Sequence, residues 1–441
     1  MRTVLYTTLL VFIFSASLPA APAQAATPKY LYIMSGEADV VKYNISTGEI
    51  VENFSWISKP TIAGYFPDDL WYEQTDWLLT ERGFHYDAQN SVLFLYVPYS
   101  IITQHDGSNP VTRPPALLKV QLPDWTLLKG ITFSESISGN VLDIYSSPDM
   151  KKIFVQYVKC TEPVNVGEAC SGESMTDVYD TSTLNKIKSY KGKMGGTQSS
   201  PLRFANDGVS AYYYKDLTVY KYEMTANGIN IIDITEAVFE KKFMPASKWE
   251  QLKENYGFFS PVSNKKGLKV TKNLNRFFIT ETFVDGAGKA AMIFVDVDKP
   301  ALHGAIIEDI PVELGQIYLS DDGTRAYIYE FEQLLDGSRI LSKKLSGNIY
   351  IYNVMTGALI KKAVVDMLAG KEIIGTMGKN DAVRKCSSSD GMTNVFKIFD
   401  GTNINYYLLD FSTEPYLKPM MKGELRMSQV IVAEFCFFSD K

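Results

Sequence analysis

The sequence holds few residues that titrate near neutral pH or bind soft metals: three His and four Cys in 441 residues. There is no C-x-x-C spacing, no H-E-x-x-H helix motif and no haem-attachment run, so structural zinc, zincin and c-type haem chemistry lack their ligands. No phosphate-binding glycine loop, EF-hand run or G-x-S-x-G elbow occurs. A basic excess is also missing. With 44 Lys+Arg against 50 Asp+Glu the net charge is -6, which argues against a nucleic-acid-binding surface. No Pro/Ser/Gly-rich linker divides the chain. After the first residues no stretch approaches the length of apolar sequence that a membrane-spanning helix needs.

What is present starts with an address. Arg2, the largely apolar run from Val4 to Phe14, the helix breakers Pro19 and Pro22, and Ala23-Gln24-Ala25 together read as a signal peptide over 1–25, cleaved after Ala25. The expectation is a periplasmic or secreted domain over 26–441 with no membrane span. Export permits disulfides. Cys160, Cys170, Cys386 and Cys436 allow three pairings. Cys160–Cys170, across a Pro- and Gly-bearing loop, is the natural local bridge, worth about 3 kcal/mol in the chain-entropy view. Cys386–Cys436 is then the long-range pair.

Two short patterns recur. One is a polar turn leading into an aromatic and β-branched run: YDAQNSVLFLY (86–96), SPDMKKIFVQY (147–157), ANDGVSAYYY (205–214), TKNLNRFFIT (271–280), SDDGTRAYIY (320–329) and SSDGMTNVFKIF (388–399). The other is strand, Asp/Asn-x-x-Thr-Gly, strand, clearest in YNISTGEIVENF (43–54) and YNVMTGALIKKA (352–363). The first pattern repeats at a spacing of about sixty residues, the length of four short strands and their connections. Antiparallel four-stranded units arranged radially make an all-β propeller, which covers both sheet faces and leaves few free edges. The bookkeeping predicts seven blades, with six or eight open, and a ring closed by the strand near 30 and the segment 425–438. Paired β-sandwiches are the alternative fold. Helical periodicity is confined to ASKWEQLKENY (246–256) and KAVVDMLAGKE (362–372).

The NISTGEIV and NVMTGALI turns, together with SSPDM (146–150) and SDDGT (320–324), resemble the YVTN-type β-propeller repeats, a superfamily that includes the large subunits of bacterial amine dehydrogenases. The resemblance implies a propeller over about 28–438. In the amine dehydrogenases it further implies a quinone cofactor on a separate small subunit, with the propeller shaping the substrate channel.

The densest polar-aromatic stretch is GYFPDDLWYEQTDWLLTERGFHY (64–86). Asp68 and Asp69 beside Trp71, Tyr72 and Trp77 could hold a cationic or sugar-like ligand by charge and stacking, with His85 and His105 nearby in sequence. The competing reading is a long connection whose rings pack between sheets and whose acids face water. No catalytic constellation stands out and no cofactor is expected. Calcium held on the axis by scattered acids and carbonyls stays open, as in a lactonase-like hydrolase. The expected role is a binding or scaffolding module for a protein or small ligand; the amine-dehydrogenase-like subunit is the alternative.

Overall fold

The turn-then-strand pattern is built as antiparallel β-sheet in the computed structural model. Residues 1–28, 64–69, 72–83, 105–110, 134–140, 161–171, 195–202, 235–246, 252–277, 371–382 and 421–433, with some shorter stretches, lie outside what the structure describes. The first sheet contains β1 (Tyr30–Ser35), β2 (Asp39–Asn44) and β3 (Glu49–Ser55), joined by β30 (Glu434–Ser439). The second contains β5 (Phe84–Asp87), β6 (Val92–Val97), β9 (Ala116–Gln121) and β10 (Thr126–Thr132). Beside it stands a small accessory sheet of β4 (Leu70–Trp71), β7 (Ser100–Gln104) and β8 (Val111–Arg113). The third runs through β11 (Val141–Ser146), β12 (Lys152–Cys160), β13 (Gly172–Asp180) and β14 (Lys186–Lys191). The fourth is β15 (Arg203–Phe204), β16 (Ser210–Lys215), β17 (Thr218–Thr225) and β18 (Gly228–Asp233), and the fifth β19 (Phe278–Val284), β20 (Lys289–Asp296) and β21 (Gly304–Pro311). The sixth is β22 (Leu314–Leu319), β23 (Arg325–Asp336), β24 (Arg339–Asn353) and β25 (Leu359–Val364). The seventh is β26 (Val383–Ser387), β27 (Thr393–Phe399), β28 (Ile404–Asp410) and β29 (Leu417–Met420).

The Asp/Asn-x-x-Thr-Gly motif makes the turns into the outermost strands β3 and β25, and a variant at Asp180 makes the turn into β14. Asn44 Oδ1 accepts the backbone N–H groups of Ser46 (2.9 Å) and Thr47 (3.1 Å), and Asn353 Oδ1 accepts that of Thr356 (3.1 Å). Asp180 Oδ1 does the same for Thr183 at 2.8 Å. Hydrogen bonds from Ser182 and Thr183 hold the Asp180 carboxyl below the usual carboxylate range. The chain then turns through a left-handed residue: Gly48 at φ 73° and Gly357 at φ 71°. At the equivalent position of the turns into β10 and β14 stand Trp125 (φ 56°) and Leu184 (φ 51°). Each costs about 1 kcal/mol in backbone sterics, which burial of the side chain offsets, since Trp125 is 0% and Leu184 2% exposed.

These plugs sit in the joints between sheets. Trp125 meets Tyr32 and Phe54 of the first sheet, at ring-centroid distances of 6.4 and 5.2 Å. The helical turn α1 (Pro60–Ala63), on the path between the two sheets, tightens that joint: Thr61 Oγ1 donates to the Trp125 carbonyl at 3.1 Å and accepts from the Leu127 N–H at 3.0 Å. Leu184, Phe133, Tyr96 and Tyr179 fill the joint between second and third sheets. Phe154, Tyr213 and Tyr222 fill the next. Tyr327, Ile351 and Phe411 join the sixth and seventh, while Leu31, Ile33, Val395 and Leu408 join the seventh to the first. The first, second, third and seventh sheets thus bury both faces against their neighbours, and the arrangement is a β-propeller.

β1 pairs antiparallel with β30 from Tyr30↔Ser439 to Ser35↔Glu434. One sequence expectation needs correction. Among the described residues of the segment 362–372 only Asp366–Leu368 is helical, because Lys362 to Val364 ends β25 and Val364 pairs with Asn348. The other expected helix, 246–256, falls largely outside the described residues.

Candidate functional site

Two layers of structure converge on the sequence that leads into β5. The first is the layer of innermost strands. β30, β5 and β11 head successive sheets, and β5 touches both neighbours because consecutive side chains of a strand point to opposite faces. Tyr86 faces the first sheet: its ring lies 4.4 Å from that of Phe437, and its hydroxyl donates to Ser439 Oγ at 3.0 Å. His85 faces the third sheet. Its Nε2 lies 3.2 Å from the carbonyl oxygen of Ile144 and its Nδ1 3.0 Å from Ser146 Oγ. A carbonyl only accepts, so Nε2 carries a proton, and in the neutral ring Nδ1 accepts from the serine hydroxyl. Both ring nitrogens are therefore engaged with β11, whose Ile144 and Ser146 are buried.

The second layer is the accessory sheet. In an antiparallel sheet successive connections alternate between its two ends. The turn 88–91 and the turn 122–125 leave one end of the second sheet. The connection 98–115, between β6 and β9, leaves the other, and the chain arriving at Phe84 enters at that same end. β4 comes from the arriving chain and β7–β8 from the 98–115 connection. They pair there, with Leu70 opposite Gln104 and Trp71 opposite Thr103. Thus the segment around Trp71 and the segment just before His105 form one sheet at one end of the second sheet.

The same end carries the extended connections of the third and sixth sheets. Cys160 and Gly172 pair at that end of β12 and β13, flanking the 161–171 connection. β23 and β24 continue as a paired hairpin to Asp336↔Arg339. At its base the Glu330 carboxylate accepts from Ser346 Oγ (2.7 Å), the Asn348 side-chain amide and Tyr350 OH (3.4 Å). At the opposite end lie the short connections 147–151, 181–185 and 354–358.

Of the residues singled out from sequence, His85 and the backbone of Trp71 are described; Asp68, Asp69, Tyr72, Trp77, His105 and Cys170 lie outside the described residues. Cys436 is disulfide-bonded, and no described cysteine is free. Among the described residues no group of three or more His, Cys, Asp and Glu could hold a metal ion. Sequence reasoning missed a buried polar group in the joint between second and third sheets. Asp177, 1% exposed, accepts from Tyr157 OH at 3.4 Å and from Lys186 Nζ at 3.3 Å. Burial, with the Asp177 charge beside it, pushes the Tyr157 phenol up to about 12. The only sign in the sequence was an acid on a run otherwise fit for the core, Met175 to Tyr179.

No family matches the sequence, and no curated protein does. Among solved structures the chain is similar to a functionally unknown protein from Desulfotomaculum acetoxidans. That match has 10% identity, covers 93% of this chain and 99% of the other, and has a TM-score of 0.42. The chain is also similar to AztD of Citrobacter koseri, at 12% identity over 92% of this chain and 97% of the other, TM-score 0.40.

Proposed function

We propose that the chain is exported after removal of residues 1–25 and that 26–441 works as a binding or scaffolding module. In this reading it is a propeller of seven blades whose ring closes where β1 meets β30. It presents one face to a protein or small ligand. The observation that supports this is the sidedness of the connections. The extended ones of the second, third and sixth sheets emerge at one end, and short turns occupy the other ends of those sheets. Binding residues concentrate on connections held by a rigid scaffold.

Asp68 and Asp69 then supply charge, and Trp71, Tyr72 and Trp77 supply ring faces, for a ligand held beside the accessory sheet, with His105 following β7. His85 serves as the anchor that fixes β5 beneath them.

The test is affinity purification of the tagged full chain from its source cells, wild type against Trp71→Ala and Trp77→Ala. Loss of the co-purifying partner in either variant, with unchanged thermal stability, is the expected result. A small cysteine-rich exported subunit among the captured proteins would specify the enzyme-subunit version of the role. Retention of the same partner by both variants would remove this face from the account.

A further inference from the structure

β30 belongs to the first sheet by its hydrogen bonds, with Cys436 opposite Ile33 of β1. Its other side lies beside β26, the innermost strand of the seventh sheet. Cys436 is disulfide-bonded. The apolar cluster against which it packs spans both sheets, with Leu31 and Ile33 from one and Val395 and Leu408 from the other. In the seventh sheet Cys386 stands opposite Val395 on the β26–β27 ladder. Residues opposite one another on an antiparallel ladder share a face. We infer that Cys386 is the partner of Cys436 and that the bridge fastens the closing strand to the seventh sheet, which leaves the β30–β1 ladder as the noncovalent seam between the two ends of the chain.

The consequence is a conformational device that goes beyond the binding role proposed above. The bridge closes residues 386–436 into a covalent loop containing β27 to β29 and part of β26 and of β30. β30 is held to β1 noncovalently, by the ladder from Tyr30↔Ser439 to Ser35↔Glu434 and by the stacked rings of Tyr32 and Phe437, 4.9 Å apart. While the bridge stands, the ends of the chain part only along that ladder. A dithiol reductant, giving up two electrons and two protons and becoming a cyclic disulfide, converts the bridge to two thiols and makes the β26–β30 joint the weaker one.

Two measurements on the full chain test this. Proteolysis and mass spectrometry without reductant should recover a cross-linked pair containing Cys386 and Cys436. Linkage of Cys436 to Cys160 or Cys170 would overturn the assignment. Hydrogen exchange with and without dithiothreitol should show β26 and β30 exchanging about tenfold or more faster after reduction, while β9 and β10 stay unchanged. No change at β26 and β30, or equal loss of protection in every sheet, would overturn the local joint.

Discussion

The phenolic hydroxyl of Tyr86 donates to Ser439 Oγ at 3.0 Å, joining positions 353 apart in sequence. The bond ties the entry strand of the second sheet to the C-terminal strand of the first. Phe437 lies between them, stacked on Tyr32 at 4.9 Å and tilted against Tyr86 at 4.4 Å. Removing a buried aromatic ring of this kind costs about 3–5 kcal/mol. Phe437→Ala should therefore lower stability by that amount in urea unfolding, whereas Tyr86→Phe, which removes only the hydroxyl, should cost about 1 kcal/mol. Equal effects of the two would mean that the seam is held by the hydrogen bond and not by the stack.

Lys186 reaches Asp177 at 3.3 Å, but the two partners differ in burial: Asp177 is 1% exposed at its side chain and Lys186 52%. Removing the cation leaves a buried carboxylate with its charge uncompensated, at a cost of about 3 kcal/mol. Lys186→Met should be destabilising by that order. Lys186→Met combined with Asp177→Asn should recover part of the loss in a double-mutant cycle. Independent, additive effects would show that the pair is not coupled.

Four tyrosines set an alkaline limit. Burial pushes Tyr157 up to about 12, and pushes Tyr32, Tyr96 and Tyr179 up further. The fold favours the neutral phenol in each, so its stability contribution is complete below the ordinary tyrosine pKa of about 10 and falls as pH rises from there towards the folded value. Tyrosinate absorbance and circular dichroism followed together should show these phenols ionising with unfolding, above the exposed tyrosines. Ionisation of all tyrosines near pH 10 with the fold intact would contradict the burial.

Much of this architecture was legible in the residues, and the reason is local. Asn44, Asp180 and Asn353 cap their turns with their own side chains, and Gly48 and Gly357 occupy left-handed positions, so turn chemistry within five residues reports the strand pair. Trp125 and Leu184 hold the same backbone position without glycine, because packing, not local preference, places them. The accessory sheet was not legible at all. Leu70 and Trp71 form a two-residue strand whose partner, Ser100–Gln104, lies thirty residues on, and nothing local distinguishes either from loop. The joint made by His85 was hidden for the same reason, since Ile144 and Ser146 are 59 and 61 positions away. The loop reading of 64–86 captured composition but missed that its last residues, Phe84 to Tyr86, enter the innermost strand layer.

The claim that one face carries the function is tested most directly by site-specific photo-crosslinking of the full chain in its source cells. A photoreactive residue at Trp71, on the accessory sheet, is compared with one at Ser46, exposed on the short-turn face. The account predicts a discrete adduct from position 71 and none from position 46. An adduct from position 46 alone, or equal capture from both, would contradict it.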